Sequence, residues 1–402
     1  MSSGELVEAA PNRHTFAVEQ SLNGIALCAS GLETICAHEL ERLGLPCVEK
    51  NPGLVVFATG GLPLAVALGR ANLRLRTAER VLLELGTFPA RDFDELFEGV
   101  RGLPWELCIA RDSCLEIERV RSHDSALASQ TAVQSVAHKA AYARMMRLHR
   151  VGRMPETGQT VSTRIYLDQD RCRVGIDTSG EALHKRGYRQ QGGIAPLKET
   201  LAAGLLFLSG WTRRLALVDP FCGSGSIAIE AALYAQDRAP GLLRHFALES
   251  LPFAERTSLR PEREAAEAAV RKDVAVRIHA SDADPAALAG ARRNAERAGV
   301  ADIIDFSQAK AEDVSPFADR GYLLANPPYG ERMGTLEEAH ELYGSLAGMR
   351  KRFADSFWGM GFITNAPDFG HWFGAKPATM KRIMNGAEEQ WFHWYPAKNH
   401  KD

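Results

Sequence analysis

Hydrophobic and polar positions along the chain change rhythm near its middle. In the first half, residues 24–30 form the short apolar run of a strand. Leu32, Ile35, Cys36, Leu40 and Leu43 then recur at helical spacing until Gly44 stops them. Residues 54–58 are a second β-like run, set between the turn sequences Asn51-Pro52-Gly53 and Gly60-Gly61. Helical patterns cover 63–70, 92–99 and 129–150. Strands are expected at 114–120 and 161–167, the latter with Val161, Thr163, Ile165 and Leu167 on one face. Short strands mixed with helices predict a small α+β unit.

The second half alternates strand and helix. Apolar runs at 215–218, 275–280 and 322–325 each end in a Gly-, Asp- or Pro-rich loop, and 357–364 is a fourth strand. That order predicts a parallel, doubly wound α/β sheet, whose ligands sit beyond the carboxyl ends of the strands. A charged, Ala-rich helix at 260–273 lies in a long insertion between the first two strands. The predicted organisation is a flexible segment 1–23, a first unit 24–168, a second unit 169–396 and a tail 397–402.

A length of 402 residues calls for two or three domains. Forty-eight Lys and Arg against fifty Asp and Glu give a net charge of −2, so a nucleic-acid surface must be a local patch. No apolar run approaches the roughly twenty residues of a membrane span, and the first 23 residues lack a signal-peptide core. Seven cysteines without a C-x-x-C pair argue against disulfides or a zinc ribbon and predict a reducing cytoplasm.

Two loops carry chemistry. Asp219-Pro220-Phe221-Cys222-Gly223-Ser224-Gly225 joins a strand to a helix. Its glycines admit a close ligand, and the helix N-terminus offers free N–H groups to a carboxylate. A dinucleotide fingerprint fits less well, because the strand-end acid Asp282 lies far beyond the usual 20 residues. Cys222 is expected to pack and not to react. The second loop, Asn326-Pro327-Pro328-Tyr329, suits methylation of an exocyclic amine. The Asn326 oxygen and the Pro327 carbonyl can accept from the amine while two prolines hold the turn, and Tyr329 offers a stacking face.

These loops, with Gly31-Leu32-Glu33, Leu183-His184-Lys185-Arg186-Gly187-Tyr188-Arg189, the run 195–202, the run 238–246, Ser281-Asp282-Ala283-Asp284-Pro285 and the run 326–332, resemble one family in the right order over nearly the whole chain. The sequence is similar to THUMP-domain class I S-adenosylmethionine-dependent methyltransferases, above all the bacterial 23S ribosomal RNA guanine-N2 enzymes. The resemblance implies a ferredoxin-like piece merged with a THUMP RNA-binding domain, then a Rossmann-like class I methyltransferase domain. It implies that Asp219, Pro220, Phe221, Gly223 and Gly225 hold the cofactor's methionine part and Asp282 its ribose. Residues 310–312 would border the adenine, with Lys310 standing where an acidic residue is usual and Glu312 or the backbone of Ala311 substituting for it. The second methyltransferase domain fused in some relatives is not expected after Trp394.

RNA contacts are expected from Lys139, Arg144, Arg147 and Arg150, in a stretch without acids between Asp124 and Glu156, and from Lys185, Arg186 and Arg189. Arg144, Arg147 and Arg150 are predicted to share a helix face. The expected partner is structured RNA, 23S ribosomal RNA first, with neither membrane nor metal required; a monomer is compatible with the sequence. A transfer RNA guanine-N2 enzyme and a DNA adenine-N6 enzyme share the same tetrapeptide, though a THUMP-like half disfavours DNA. A non-catalytic ribosome-assembly factor is opposed by the intact loops.

Overall fold

The computed structural model describes residues 21–189, 197–255, 257–328 and 336–397. Strands β1 (Asn23–Cys28), β2 (Cys47–Asn51), β3 (Leu54–Phe57), β4 (Ala78–Pro89), β5 (Cys114–His123), β6 (Thr160–Asp168) and β7 (Arg171–Asp177) form one sheet in the order β2-β3-β1-β4-β7-β6-β5. Only β5 and β6 pair in parallel. Helices α1 (Glu33–Arg42), α2 (Leu64–Arg74), α3 (Phe93–Gly102) and α4 (Gln130–His149) accompany it. On α1, Cys36, Ala37 and Leu40 are buried, at the spacing visible in the sequence. α3 starts where Asp92 caps it, accepting from the Glu95 N–H at 2.8 Å.

Three of these strands, β2, β4 and β7, escape the sequence pattern. In β4, Val81, Leu82, Leu83 and Leu85 are all buried, so both faces are covered and no alternation marks the strand. β7 corrects the expected boundary at 168. It pairs antiparallel with both β4 and β6, so the first unit runs on to Asp177.

The second sheet contains β8 (Ala216–Asp219), β9 (Ile278–Asp282), β10 (Ile304–Gln308), β11 (Arg320–Ala325), β12 (Phe357–Thr364), β13 (Thr379–Asn385) and β14 (Glu388–Tyr395), ordered β10-β9-β8-β11-β12-β14-β13. The first five are parallel, as the alternation predicts, although β10 is not among the four strands expected from the sequence. β13 and β14 add an antiparallel hairpin at the edge, and Trp394 stacks there on Tyr322. Helices α5 (Glu199–Leu208), α6 (Ser226–Ala235), α7 (Arg260–Ala268), α8 (Pro285–Ala298), α9 (Leu336–Ser345), α10 (Ala347–Ala354) and α11 (Phe369–Trp372) complete this half. With β9 on one side of β8 and β11 on the other, the winding reverses at β8. A ligand crevice is expected at that reversal.

The two halves share one apolar cluster, which runs from Ala26 and Leu32 to Leu324 and Phe392. A bridge joins Ser30 to Met384, and the Met384 N–H donates to the Ser30 carbonyl at 2.9 Å. Beside it Gly31 has φ +103°, and a side chain there would strike the Arg382 carbonyl. Arg70 on α2 grips Glu262 on α7 through two bonds of 3.0 and 2.7 Å. The insertion is thereby fastened to helix α2 of the first half. None of the described helices is long and apolar enough to cross a membrane.

Candidate active site

Asp219 ends β8, Asp282 ends β9, Ala311 follows β10 and Asn326 follows β11. These four strands are adjacent and parallel, so four motifs far apart in sequence meet along one sheet edge. The glycine loop bends onto that edge. Its Cys222 N–H donates to the Ser281 carbonyl at 2.9 Å, and its Gly223 N–H to Asp282 Oδ2 at 2.8 Å. Asp282 Oδ1 also accepts from the Asp284 N–H at 3.0 Å. Asp284 itself is spent on capping α8, accepting from the Ala286 N–H, which leaves Asp282 as the strand-end acid facing the crevice.

Asp219 is buried under the loop. Burial pushes its carboxyl up to about 8, the nearby Asp282 charge adds to the rise, and the Phe221 N–H opposes it. Cys222 is buried too, and burial drives its thiol far above the usual range, so it packs and is not a nucleophile. Gly223 has φ +49° with open space where a side chain would point. Gly225, at φ +84°, precedes α6 and lies against Ala291 and Ile229. One support went unread in the sequence: Asn294 on α8 donates to the Ser224 carbonyl at 3.0 Å and braces the loop. Its signal was a lone amide on a helix face otherwise built from Leu288, Ala291, Ala295 and Ala298.

Asn326 stands at the rim. Its Oδ1 is buried and receives no hydrogen bond among the described residues. An amide oxygen left this way costs about 1–3 kcal/mol, so an acceptor is held ready for a donor from outside. Pro327 is buried and Pro328 half-buried, while Tyr329 lies outside the described residues. Lys310 and Glu312 face each other at 3.7 Å on the surface near the buried Ala311. Among the described residues, no group of three or more His, Cys, Asp or Glu is placed to hold a metal ion.

The expected RNA-binding residues scatter. Lys139, Arg147 and Arg150 are exposed. Arg150 does not extend the helix face, because α4 ends at His149 and Arg150 turns left-handed at φ 55°. Arg144 is tied to Glu106 by bonds of 2.8 and 2.7 Å. Lys185 is exposed beside Glu181. Arg186 is a correction: it lies in the core, giving its guanidinium to the Leu183 and Arg76 carbonyls and to Glu230. A buried guanidinium cannot track phosphates. Arg189 also turns inward, to Ser226 Oγ at 2.5 Å and the Leu197 carbonyl at 3.0 Å.

The family model described as "RMKL-like, methyltransferase domain" matches residues 186–390, and that of the RlmL ferredoxin-like domain matches residues 23–82. The chain belongs to the RMKL-like methyltransferases. YpsC of Bacillus subtilis, an RNA methyltransferase by name, is 35% identical over 93% of this chain and 96% of its own length. The ribosomal RNA large subunit methyltransferase K/L of Syntrophotalea carbinolica is 33% identical over 90% of the chain. The chain spans about half the length of the K/L enzymes it matches, 52% in that case. Among solved structures, SMU.472, described as a methyltransferase and solved with S-adenosylhomocysteine, aligns with a TM-score of 0.84 at 32% identity, covering 94% of this chain and 99% of that one.

The RMKL-like chain is thus an S-adenosylmethionine-dependent methyltransferase with a ferredoxin-like first half and a Rossmann-like second half. The site fits that cofactor. A glycine loop with room at Gly223, a strand-end carboxylate and a free helix start sit beside an orphaned amide oxygen. When bound, the cofactor supplies a methyl group on positively charged sulfur.

Proposed function

We propose that the protein methylates the exocyclic N2 amine of a guanosine in 23S ribosomal RNA. The observation that carries this reading is the unpartnered Asn326 Oδ1 at the end of β11. An exocyclic amine is a weak nucleophile because its lone pair is delocalised into the ring. Accepting its N–H groups at Asn326 Oδ1 and the Pro327 carbonyl favours the pyramidal nitrogen that attacks a methyl group. Pro327 and Pro328 fix both acceptors in advance, and Tyr329 stacks on the extruded base.

Asp282 holds the cofactor ribose, the loop with Asp219, Pro220, Phe221, Gly223 and Gly225 holds the methionine part, and Ala311 borders the adenine. The names of the K/L relatives support large-subunit ribosomal RNA as acceptor. Exposed Lys139, Arg147, Arg150 and Lys185 supply candidate phosphate contacts. The deciding experiment maps modified nucleosides by mass spectrometry in ribosomal RNA, transfer RNA and DNA from cells lacking the protein. Loss of one N2-methylguanosine in 23S RNA, restored by the purified enzyme, is expected. Loss only in transfer RNA, or of N6-methyladenine in DNA, would replace the acceptor named here.

A further inference from the structure

Arg189 stands in an electrostatically awkward place. Its Nη2 donates to Ser226 Oγ at 2.5 Å, and Ser226 is the first residue of α6, directly after Gly225 of the glycine loop. The start of a helix carries about half a positive charge and unsatisfied N–H groups, so a guanidinium there is repelled by it. One carboxylate offsets this incompletely. Glu199, the first residue of α5, approaches Arg189 Nε at 3.4 Å without a hydrogen bond. Arg189 Nε and Glu199 Oε2 are both buried and both lack a hydrogen-bond partner among the described residues. Glu199 is 2% exposed, and its burial raises its carboxyl pKa. The Arg189 side chain is 19% exposed, open enough to meet a ligand.

A cation at a positive helix end, next to a glycine loop and with its neutralisation unfinished, is an anion site. We propose that Arg189 anchors the α-carboxylate of the cofactor's methionine part together with the free N–H groups of α6, and that Glu199 is the positioning residue that aims the guanidinium. The Leu197 carbonyl, which accepts from both Arg189 and Ser226, fixes the fork from behind. This assignment rests on the cofactor and not on the RNA acceptor, so it stands or falls apart from the reading of Asn326.

Calorimetry with three ligands tests it: S-adenosylmethionine, decarboxylated S-adenosylmethionine and 5′-methylthioadenosine, which has no amino-acid part. A charge-assisted contact predicts that Arg189→Met weakens S-adenosylmethionine about 10- to 100-fold and leaves methylthioadenosine unchanged. In the unaltered protein, removing the carboxylate should cost a similar factor, and Arg189→Met should add little to it. If Arg189→Met does not fold, Arg189→Lys keeps the charge without the planar fork and should show a smaller, still selective loss. Equal weakening of all three ligands would make Arg189 a structural strut. Equal binding of the carboxylated and decarboxylated cofactors by the unaltered protein would also overturn the assignment.

Discussion

The Gly223 N–H donates to Asp282 Oδ2 at 2.8 Å, so the carboxylate that faces the crevice also fastens the glycine loop. This one contact joins both halves of the proposed cofactor site. Asp282→Ala should weaken S-adenosylmethionine about 10- to 100-fold in calorimetry, the range for losing a charged hydrogen-bonding partner. The fold should survive, because Asp282 lies at a strand end and is only half-buried. Unchanged affinity would mean that the ribose is held elsewhere.

Asn326→Ala should slow single-turnover methylation by a factor of about 10² to 10³, as expected for removing one preorganised polar partner. Cofactor affinity should hardly change. Asn326→Asp keeps an acceptor at the same place and should retain partial activity. A near-normal rate for the alanine variant would make the turn purely structural.

Asp219 predicts an unusual pH dependence. Its carboxyl titrates at about 8 in the folded protein against 3.8 for an unperturbed aspartate. Between those values the folded chain holds a proton that the unfolded chain has lost. The contribution of this group to stability is therefore full below about pH 4 and declines as pH rises towards 8. Denaturation of the protein and of Asp219→Asn should give a stability difference that shifts in favour of the variant from about pH 5 to pH 8. A constant difference would mean that Asp219 is already ionised in the fold.

Arg186 and Glu230 bury their side chains almost completely, and Glu230 Oε1 also accepts from the Tyr188 hydroxyl at 3.2 Å. Glu230→Ala strands a buried guanidinium and should cost about 3–5 kcal/mol in urea unfolding. Arg186→Gln should likewise destabilise. If RNA affinity fell with no change in stability, the placement of Arg186 in the core would be wrong.

Changing Lys139 and Arg147 on α4, together with Arg150 just beyond its end, to Gln should weaken RNA binding and reduce its salt slope by up to about 2.7, at 0.9 per phosphate contact. Arg144→Gln breaks the pair of hydrogen bonds to Glu106 and should show mainly as lost stability. An unchanged slope in the triple variant would assign that face to solvent alone.

The glycine loop and Asn326-Pro327-Pro328 were legible because their chemistry is local: turn residues at a strand end work wherever the strand sits. What escaped the sequence depends on partners far along the chain. Arg186 looks the same in a Lys-Arg-Gly-Tyr-Arg run whether it meets a phosphate or Glu230, 44 residues on. Asn294 gained its meaning only when α8 lay against Ser224. β4 was hidden because it is apolar on both sides, and β7 because it completes a sheet whose other strands had ended earlier.

Among the described residues, the shared apolar cluster, the Ser30–Met384 bridge and the Arg70–Glu262 clasp tie the halves together without a hinge. Inter-domain motion is the default only where an interface is small and polar; here one continuous core crosses it. A frame tied in this way is expected to meet its acceptor without swinging one half against the other. For the proposed guanosine acceptor, the work of deformation then passes to the RNA, whose base would leave its stack and travel to Asn326. Selectivity then favours nucleotides that are already easy to unstack, and the stiffness of the acceptor's own structure becomes part of the recognition code.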